Sequence, residues 1–582
     1  MREAGPAEIA ALDQPVTVNG PEQADHRTIA APALLLSSAP GRWVVAVTVL
    51  GSGIASLDAT VVNIALPAIG RDFHTGVAAL QWVMTGYTLT LAAFLLIGGS
   101  LGDRFGRRRV YLTGVVWFAL ASAACGFAPG ALFLITTRML QGVGAALLTP
   151  GSLAILEASF TVGDRGRAIG AWSGLSGVAT AAGPLLGGYL ITAASWRWIF
   201  FINLPITVAV VVLGARHVPE SVDPAASGKL DSAGALAAVV FLVGITFTFI
   251  EGPTLGWSSP ALLTMAAVAV AGLAAFVTRE RHAASPMLPL AVFRARQFAA
   301  TNTVTFIVYA ALVGATFLLP VELQVVWGYS PLASGAALLP LTAIMLVLSA
   351  RSGRLASRIG PRLQMSVGPV VTGAGFALLT LAAHGSSYVI DVLPAVTVFG
   401  LGLAITVAPL TATAMSSAPA EQVGIASAVN NDVARLGGLL AVAVLPALSG
   451  ITGTAYLHPH ALAAGFHTAV LIAAALCAAA GLLAAVTITN PPRAPSPAAP
   501  PPQEYAHCGL AAPPLRTSAL RLPPPSTLGA PFPARRARTA GPERPCGPGR
   551  FRCAAPGPPA GGTGQHSARP RASSRPCSDA SR

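Results

Sequence analysis

Charge is the scarcest property of this chain. Only 10% of its 582 residues are charged, and a single lysine, Lys229, stands among 36 basic residues. A folded soluble domain carries about 25% charged residues because water must be met by a polar surface. With 53% hydrophobic residues and a mean hydropathy of +0.66, the chain cannot cover itself in water, so its solvent is lipid. The missing lysines also exclude a phosphate-binding ATP loop, which needs two spaced glycines before its lysine. Asp223 stands where the first of those glycines would be. Cysteine is sparse as well. Cys125 and Cys477 lie in apolar runs and read as small buried hydrophobes. Cys508, Cys546, Cys553 and Cys577 lack zinc-ligand spacing, so no metal is expected. Arginine in place of lysine, with abundant Ala, Gly and Pro, points to a GC-rich genome such as an actinobacterial one.

Acidic residues are too few to balance the basic ones, and the net charge is +14. Such a balance suggests nucleic acid, but its distribution does not. From Pro491 to Arg582, 13 arginines stand against Glu504, Glu543 and Asp579, which places +10 of the +14 in one terminal segment. The remaining excess sits in short loops, as membrane topology requires. That segment holds 22 prolines in 92 residues and no apolar periodicity, so 491–582 is expected to be a disordered Pro/Arg-rich tail.

Apolar runs long enough to cross ~30 Å of hydrocarbon are abundant. They fall near 43–66, 80–101, 110–128, 131–156, 167–190, 197–214, 231–250, 260–278, 300–326, 332–350, 365–383, 388–412, 424–450 and 466–488. Fourteen spans is the expected number, or twelve if the seventh and eighth are misread. Residues 1–42 read as a flexible segment without the basic start and apolar core of a signal peptide. With the amino terminus inside the cell, the inner loops hold sixteen basic residues, among them Arg104, Arg165, Lys229, Arg279, Arg354 and Arg362. The outer loops hold only Arg71 and Arg197. This asymmetry predicts a multi-pass cell-membrane protein with both termini cytoplasmic.

GSLGDRFGRR from Gly99 is echoed by GRLASRIGPR from Gly353. Gly99, Arg104 and Gly106 match Gly353, Arg358 and Gly360, each 254 residues apart. The spacing predicts an all-α fold of two six-helix bundles, 43–214 and 300–490, with two additional helices within 215–299. Related halves with a substrate site between them are a common transporter plan. The string Gly98–Gly102 formally matches G-x-S-x-G, but it ends a membrane helix, whereas a nucleophile elbow follows a strand. The chain therefore does not read as an enzyme.

In the loop Gly99, Asp103, Arg104, Gly106, Arg107 and Arg108, glycines permit a tight turn. Asp103 can accept from an arginine or a helix amino terminus and hold the two bundles together at the inner face. This string resembles the loop signature of the major facilitator superfamily. Leu57, Asp58, Thr60, Asn63, Leu66 and Pro67 resemble the first-helix signature of its fourteen-span drug:proton antiporters. Arg138, Gln141, Gly142 and Gly144 resemble the fourth-helix motif, and Gly183, Pro184, Gly187 and Gly188 the end of the fifth-helix motif associated with antiport. Trp196–Trp198 and Asn203–Pro205 are also similar to that family. The resemblance spans about 43–490, and Ser357, standing where Asp103 does, departs from the repeat.

Asp58 lies roughly fifteen residues into the first run, where an ionised carboxylate is expensive and an apolar setting favours the neutral acid. It is either a proton-exchanging group or a permanently paired structural one. Asn63, five positions on, lies ~140° round the helix from it. Arg138 has no carboxylate three or four positions away, so its partner is on another helix, in an aqueous cavity or on a substrate. Asp432 and Arg435 lie three apart and are expected to neutralise each other locally. Glu322 and Asp391 read as solvated carboxylates near the outer ends of their helices. Gly170, Gly174, Gly177, Gly183, Gly187 and Gly188 are expected to let the fifth helix pack closely, with Pro184 bending it.

The resemblance implies proton-coupled export of small hydrophobic compounds by alternating access, with Asp58 and Arg138 as proton-coupling residues. It implies no cofactor beyond the proton, and no nucleic acid or obligate protein partner. An importer or facilitator of a metabolite is the alternative within transport, and a non-transporting receptor or scaffold the alternative outside it.

Overall fold

The computed structural model describes residues 34–223, 231–283, 288, 290–381, 387–418 and 422–490. The expected tail, Lys229 and most of the expected flexible amino-terminal segment lie outside these residues. The end of that segment is tied down: Leu34 N–H donates to Ser159 O at 2.8 Å, and Leu36 N–H to Asp164 Oδ2 at 2.9 Å.

Among the described residues, fourteen helices are long and apolar enough to cross a membrane, matching the expected number. They are α1 Ala39–Phe73, α2 Val77–Phe105, α3 Arg107–Gly126, α4 Ala131–Ser159, α5 Val162–Ala193, α6 Trp198–His217 and α7 Ser232–Leu255. α8 Pro260–His282, α9 Arg296–Val325, α10 Pro331–Ile359, α11 Pro361–Leu381, α12 Tyr388–Ser416, α13 Val423–Leu448 and α14 Pro459–Thr487 complete the set. In lipid every backbone polar group must be satisfied within its own segment, which leaves helix as the form for these runs. Their starts are written locally. Ser38, Ser259 and Ser330 each accept a backbone N–H from the first turn, with a proline that has no N–H to orphan one or two positions on, at Pro40, Pro260 and Pro331. Asp231 caps α7 through Gly234 N–H and also holds Arg279 of α8 at 2.9 Å. Burial pushes the Asp231 carboxyl up, but these donors outweigh it and hold the group below its ordinary value.

The repeat seen in sequence returns in packing. α1 lies on α5, α2 and α3 on α4, and α3 on α6; eight helices later, α9 lies on α13, α10 and α11 on α12, and α11 on α14. These are two six-helix bundles. The additional pair α7–α8 packs on itself, and α7 touches both α2 and α13. Leu120, Leu132, Val270 and Leu346 point outward and are exposed, a surface suited to lipid and not to water.

Glycine sets the close approaches. A Cβ on Gly114 would sit 2.7 Å from Leu147 Cβ, and one on Gly144 would sit 2.7 Å from Phe118 N, which brings α3 and α4 nearly into backbone contact. At the arginine-poor end the halves are joined by hydrogen bonds. Gln81 Nε2 donates to Val442 O at 2.7 Å, Val77 N–H to Gly453 O at 2.8 Å, and Gln324 Nε2 to Ile64 O at 3.0 Å.

Candidate functional site

A polar cluster lies wholly buried among α1, α3, α4 and α6. Asp58 on α1 and Arg138 on α4 are both 0% exposed and form an ion pair through Oδ2 and Nη1. Gln141, one turn along α4 from Arg138, accepts from Arg138 Nη1 at 2.7 Å and donates to Asp58 Oδ1 at 2.9 Å. Asn203 on α6 donates to Asp58 Oδ1 at 3.3 Å and to Ser122 Oγ on α3 at 3.0 Å. Arg138 also donates from Nε to Val83 O at 3.2 Å, and its guanidinium lies 4.4 Å from the centre of the Tyr87 ring. Cys125 donates to Thr137 Oγ1 at 3.3 Å, so this buried thiol is part of the polar cluster and not merely an apolar filler.

Helix spacing explains who meets whom. Arg138 and Gln141 are three apart and share a face of α4, while Gly142 lets α2 approach until Tyr87 covers the guanidinium. Asn63 lies away from Asp58 as the ~140° offset requires, and its Oδ1 is buried without a hydrogen-bond partner. The setting of Asp58 is therefore not apolar. Three donors surround the carboxylate, and one of them is a cation that cannot lose its proton.

Between Asp432 and Arg435 the described residues hold no hydrogen bond or ion pair, and Asp432 Oδ1 is buried without a partner, although the Arg435 charge is still felt at Asp432. The Arg435 charge is felt at Tyr87 on α2 and Tyr309 on α9. Glu322 is not solvated; it is 2% exposed and its Oε2 has no hydrogen-bond partner. Its neighbours in sequence, Val321 and Leu323, are buried as well, so this end of the helix is enclosed. Asp391 is half-buried.

The expectation of continuous close packing along α5 holds for half of it. A Cβ on Gly183 would strike Thr60, one on Gly187 would strike Val61, and one on Gly188 would sit 2.7 Å from Leu332 Cα of α10. Gly177 departs from the expectation: with Gly170 and Gly174 it faces open space, with nothing within 4 Å of an added Cβ. The two behaviours meet near Pro184, whose ring removes one helix hydrogen bond and permits a bend.

The first loop ties its own half. Asp103 Oδ1 accepts from Arg107 Nε at 2.7 Å and does not reach the other bundle. Gly106, at φ 109°, separates α2 from α3 in a conformation that side chains rarely adopt. Glu220, just beyond α6, accepts from Arg108 N–H at 3.0 Å and lies 3.7 Å from the side chains of Arg108 and Arg109. Gly99 lies against Pro150, and Arg104 lies beside the Phe105 ring. The second loop repeats the device at the same 254-residue offset. Gly360 has φ 87°, and Arg362 N–H donates to Asn490 Oδ1 at 3.0 Å. Glu220, Asn490, Ser122 and Tyr87 had no role in the sequence reading, and Asn203 was noted only as part of a resemblance. The available signal for Asn203 was a lone amide in the apolar run Ile199–Val208.

Comparison with known proteins identifies the family. The Major Facilitator Superfamily profile matches residues 48–442. The multidrug resistance protein Stp of Mycobacterium tuberculosis is 37% identical over 414 residues, covering 71% of this chain and 76% of its own. The tetracenomycin C resistance and export protein of Streptomyces glaucescens is 37% identical over 422 residues, covering 72% and 77%. A bacterial homologue of the human lysosomal transporter Spinster shares the fold, with a TM-score of 0.56 at 16% identity over 78% of this chain and 98% of that one. With its fourteen spans and repeated halves, this chain belongs to the major facilitator superfamily, among the relatives of its multidrug and antibiotic resistance transporters.

Proposed function

We propose that the chain exports small hydrophobic compounds, drugs or antibiotics, across a bacterial cell membrane in exchange for protons. The observation that carries this reading is the fully buried Asp58–Arg138 pair within spanning helices. Charges in such a place are expensive and mark ion or substrate pathways. The printed functions of the relatives, multidrug resistance and antibiotic export, support the drug class. The working units are the two bundles at 43–214 and 300–490, which rock about a midplane cavity. Both termini face the cytoplasm, with the arginine-rich loops inside.

A proton from outside binds the Asp58 carboxylate and breaks the ion pair. Arg138 keeps Gln141 Oε1, Val83 O and the Tyr87 ring as partners, so its charge is not stranded. The bundles then exchange faces, releasing compound outward and the proton inward. A potential of about 100 mV supplies ~2.3 kcal/mol per charge moved. At ~1.4 kcal/mol per decade, one net charge sustains roughly 1.6 decades of gradient before any pH difference is added.

Everted vesicles test the direction. Energised with a proton gradient, vesicles containing the protein should accumulate an antibiotic or dye inside. Loss of accumulated compound would make the protein an importer, and no movement with no effect on the gradient would favour a non-transporting role.

The loops carry a second expectation. Asp103→Asn should lower export several-fold at unchanged membrane abundance, because Asp103 holds Arg107 at the α2–α3 turn. Ser357→Ala should change it little, since Ser357 Oγ reaches only its own helix at Arg354 O. Equal effects in a matched export assay would remove any special role for Asp103.

A further inference from the structure

Asn203 differs from the other donors to Asp58 in how its orientation is held. Its side chain is 0% exposed. Ser122 Oγ donates its one proton to Phe200 O at 2.9 Å, so toward Asn203 it can only accept. That forces the amide nitrogen, not the oxygen, to face Ser122 at 3.0 Å, and the same nitrogen lies 3.3 Å from Asp58 Oδ1. The Asn203 oxygen is left buried without a partner. The relay from Phe200 O through Ser122 and Asn203 therefore ends in a donor, which favours the charged carboxylate over the neutral acid.

We propose that Asn203 is a positioning residue that sets the pH at which Asp58 exchanges its proton. This rests on the reading of Asp58 as the proton site. The other titratable groups facing Asp58 are Arg138 from α4, Tyr87 from α2 and Cys125 from α3. On α5, α6, α9 and α10, which also pack on α1, the charged side chains such as Asp164, Arg216, Arg296, Glu322 and Arg354 stand toward helix ends.

Asn203→Leu and Asn203→Ala both delete the donor, one keeping the branched shape with bulkier methyl groups and one reducing the volume. In liposomes, substrate-driven proton release is measured against pH for each, beside the wild type and Asp58→Asn, with membrane abundance matched. Both Asn203 variants should move the midpoint to higher pH by about one unit, equivalent to ~1.4 kcal/mol. A residue that only fills space would change abundance or maximal rate and leave the midpoint where it was. If Asp58→Asn abolishes the pH dependence while both variants keep the wild-type midpoint, Asn203 has no such role and the proton-site reading stands. If Asp58→Asn keeps the wild-type profile, that reading fails and this inference fails with it.

Discussion

Asp58→Asn should reach the membrane yet release no protons when substrate is added to energised everted vesicles. The amide keeps the size of the acid and can still accept from Arg138 Nη1, but it cannot titrate. Arg138→Met should do more damage to the fold, because it leaves Asp58 buried at 0% exposure with no cation beside it. Removing one partner of a buried pair typically costs about 3–5 kcal/mol, a large share of the stability of a typical domain. The double variant Asp58→Asn/Arg138→Met removes both charges together. It should recover most of the abundance lost in Arg138→Met without recovering any pumping. Quantified membrane protein, thermal melting in detergent and proton release separate these effects. A single Asp58→Asn that pumps at the wild-type rate with the wild-type pH dependence would move the proton site elsewhere, with Asp432 the next candidate.

Two glycines of α5 should fail in opposite ways. Gly187→Leu puts a branched side chain where even a Cβ would strike Val61 of α1, so the helix pair must separate. Overpacking of this kind typically costs ~1–3 kcal/mol, and here the obstacle includes backbone as well as side chain, so loss of folded protein is expected. A Cβ on Gly174 meets nothing within 4 Å in this conformation, so the leucine of Gly174→Leu enters open space. The variant should melt at the wild-type temperature. In the proposed export cycle it should nevertheless lose most of its export, because that cycle requires the face with Gly170, Gly174 and Gly177 to close. Wild-type export by Gly174→Leu would show that this face stays open throughout the cycle.

The span count was legible because lipid requires each crossing segment to satisfy its own backbone, so a window of about twenty apolar residues suffices. Long loops and lipid-facing surfaces did not blur it. Residues near the ends were harder to read. Glu322 reads as solvated from its place near the end of α9 and is 2% exposed, with Val321 and Leu323 buried beside it. Asp432 and Arg435 share a face without a hydrogen bond between them, so the arginine acts on the carboxyl through its charge alone.

Sequence by itself determined that this protein lives in lipid, that it crosses twelve to fourteen times, that its arginines crowd one end, and that its second half echoes its first, while the structure shows fourteen helices long and apolar enough to cross. Each of these follows from short-range pattern: hydropathy over one helix length, charge in one loop, one motif echoed 254 residues later. It also marked Asp58 and Arg138 as costly and in need of partners. Only the tertiary structure decided that they are each other's partners, 80 residues apart, and that Asn203 joins Asp58 from 145 residues away. It alone divided α5 into a clamped half and an open half. Those outcomes depend on the rotation and tilt of one helix against another, which glycine and proline permit without specifying.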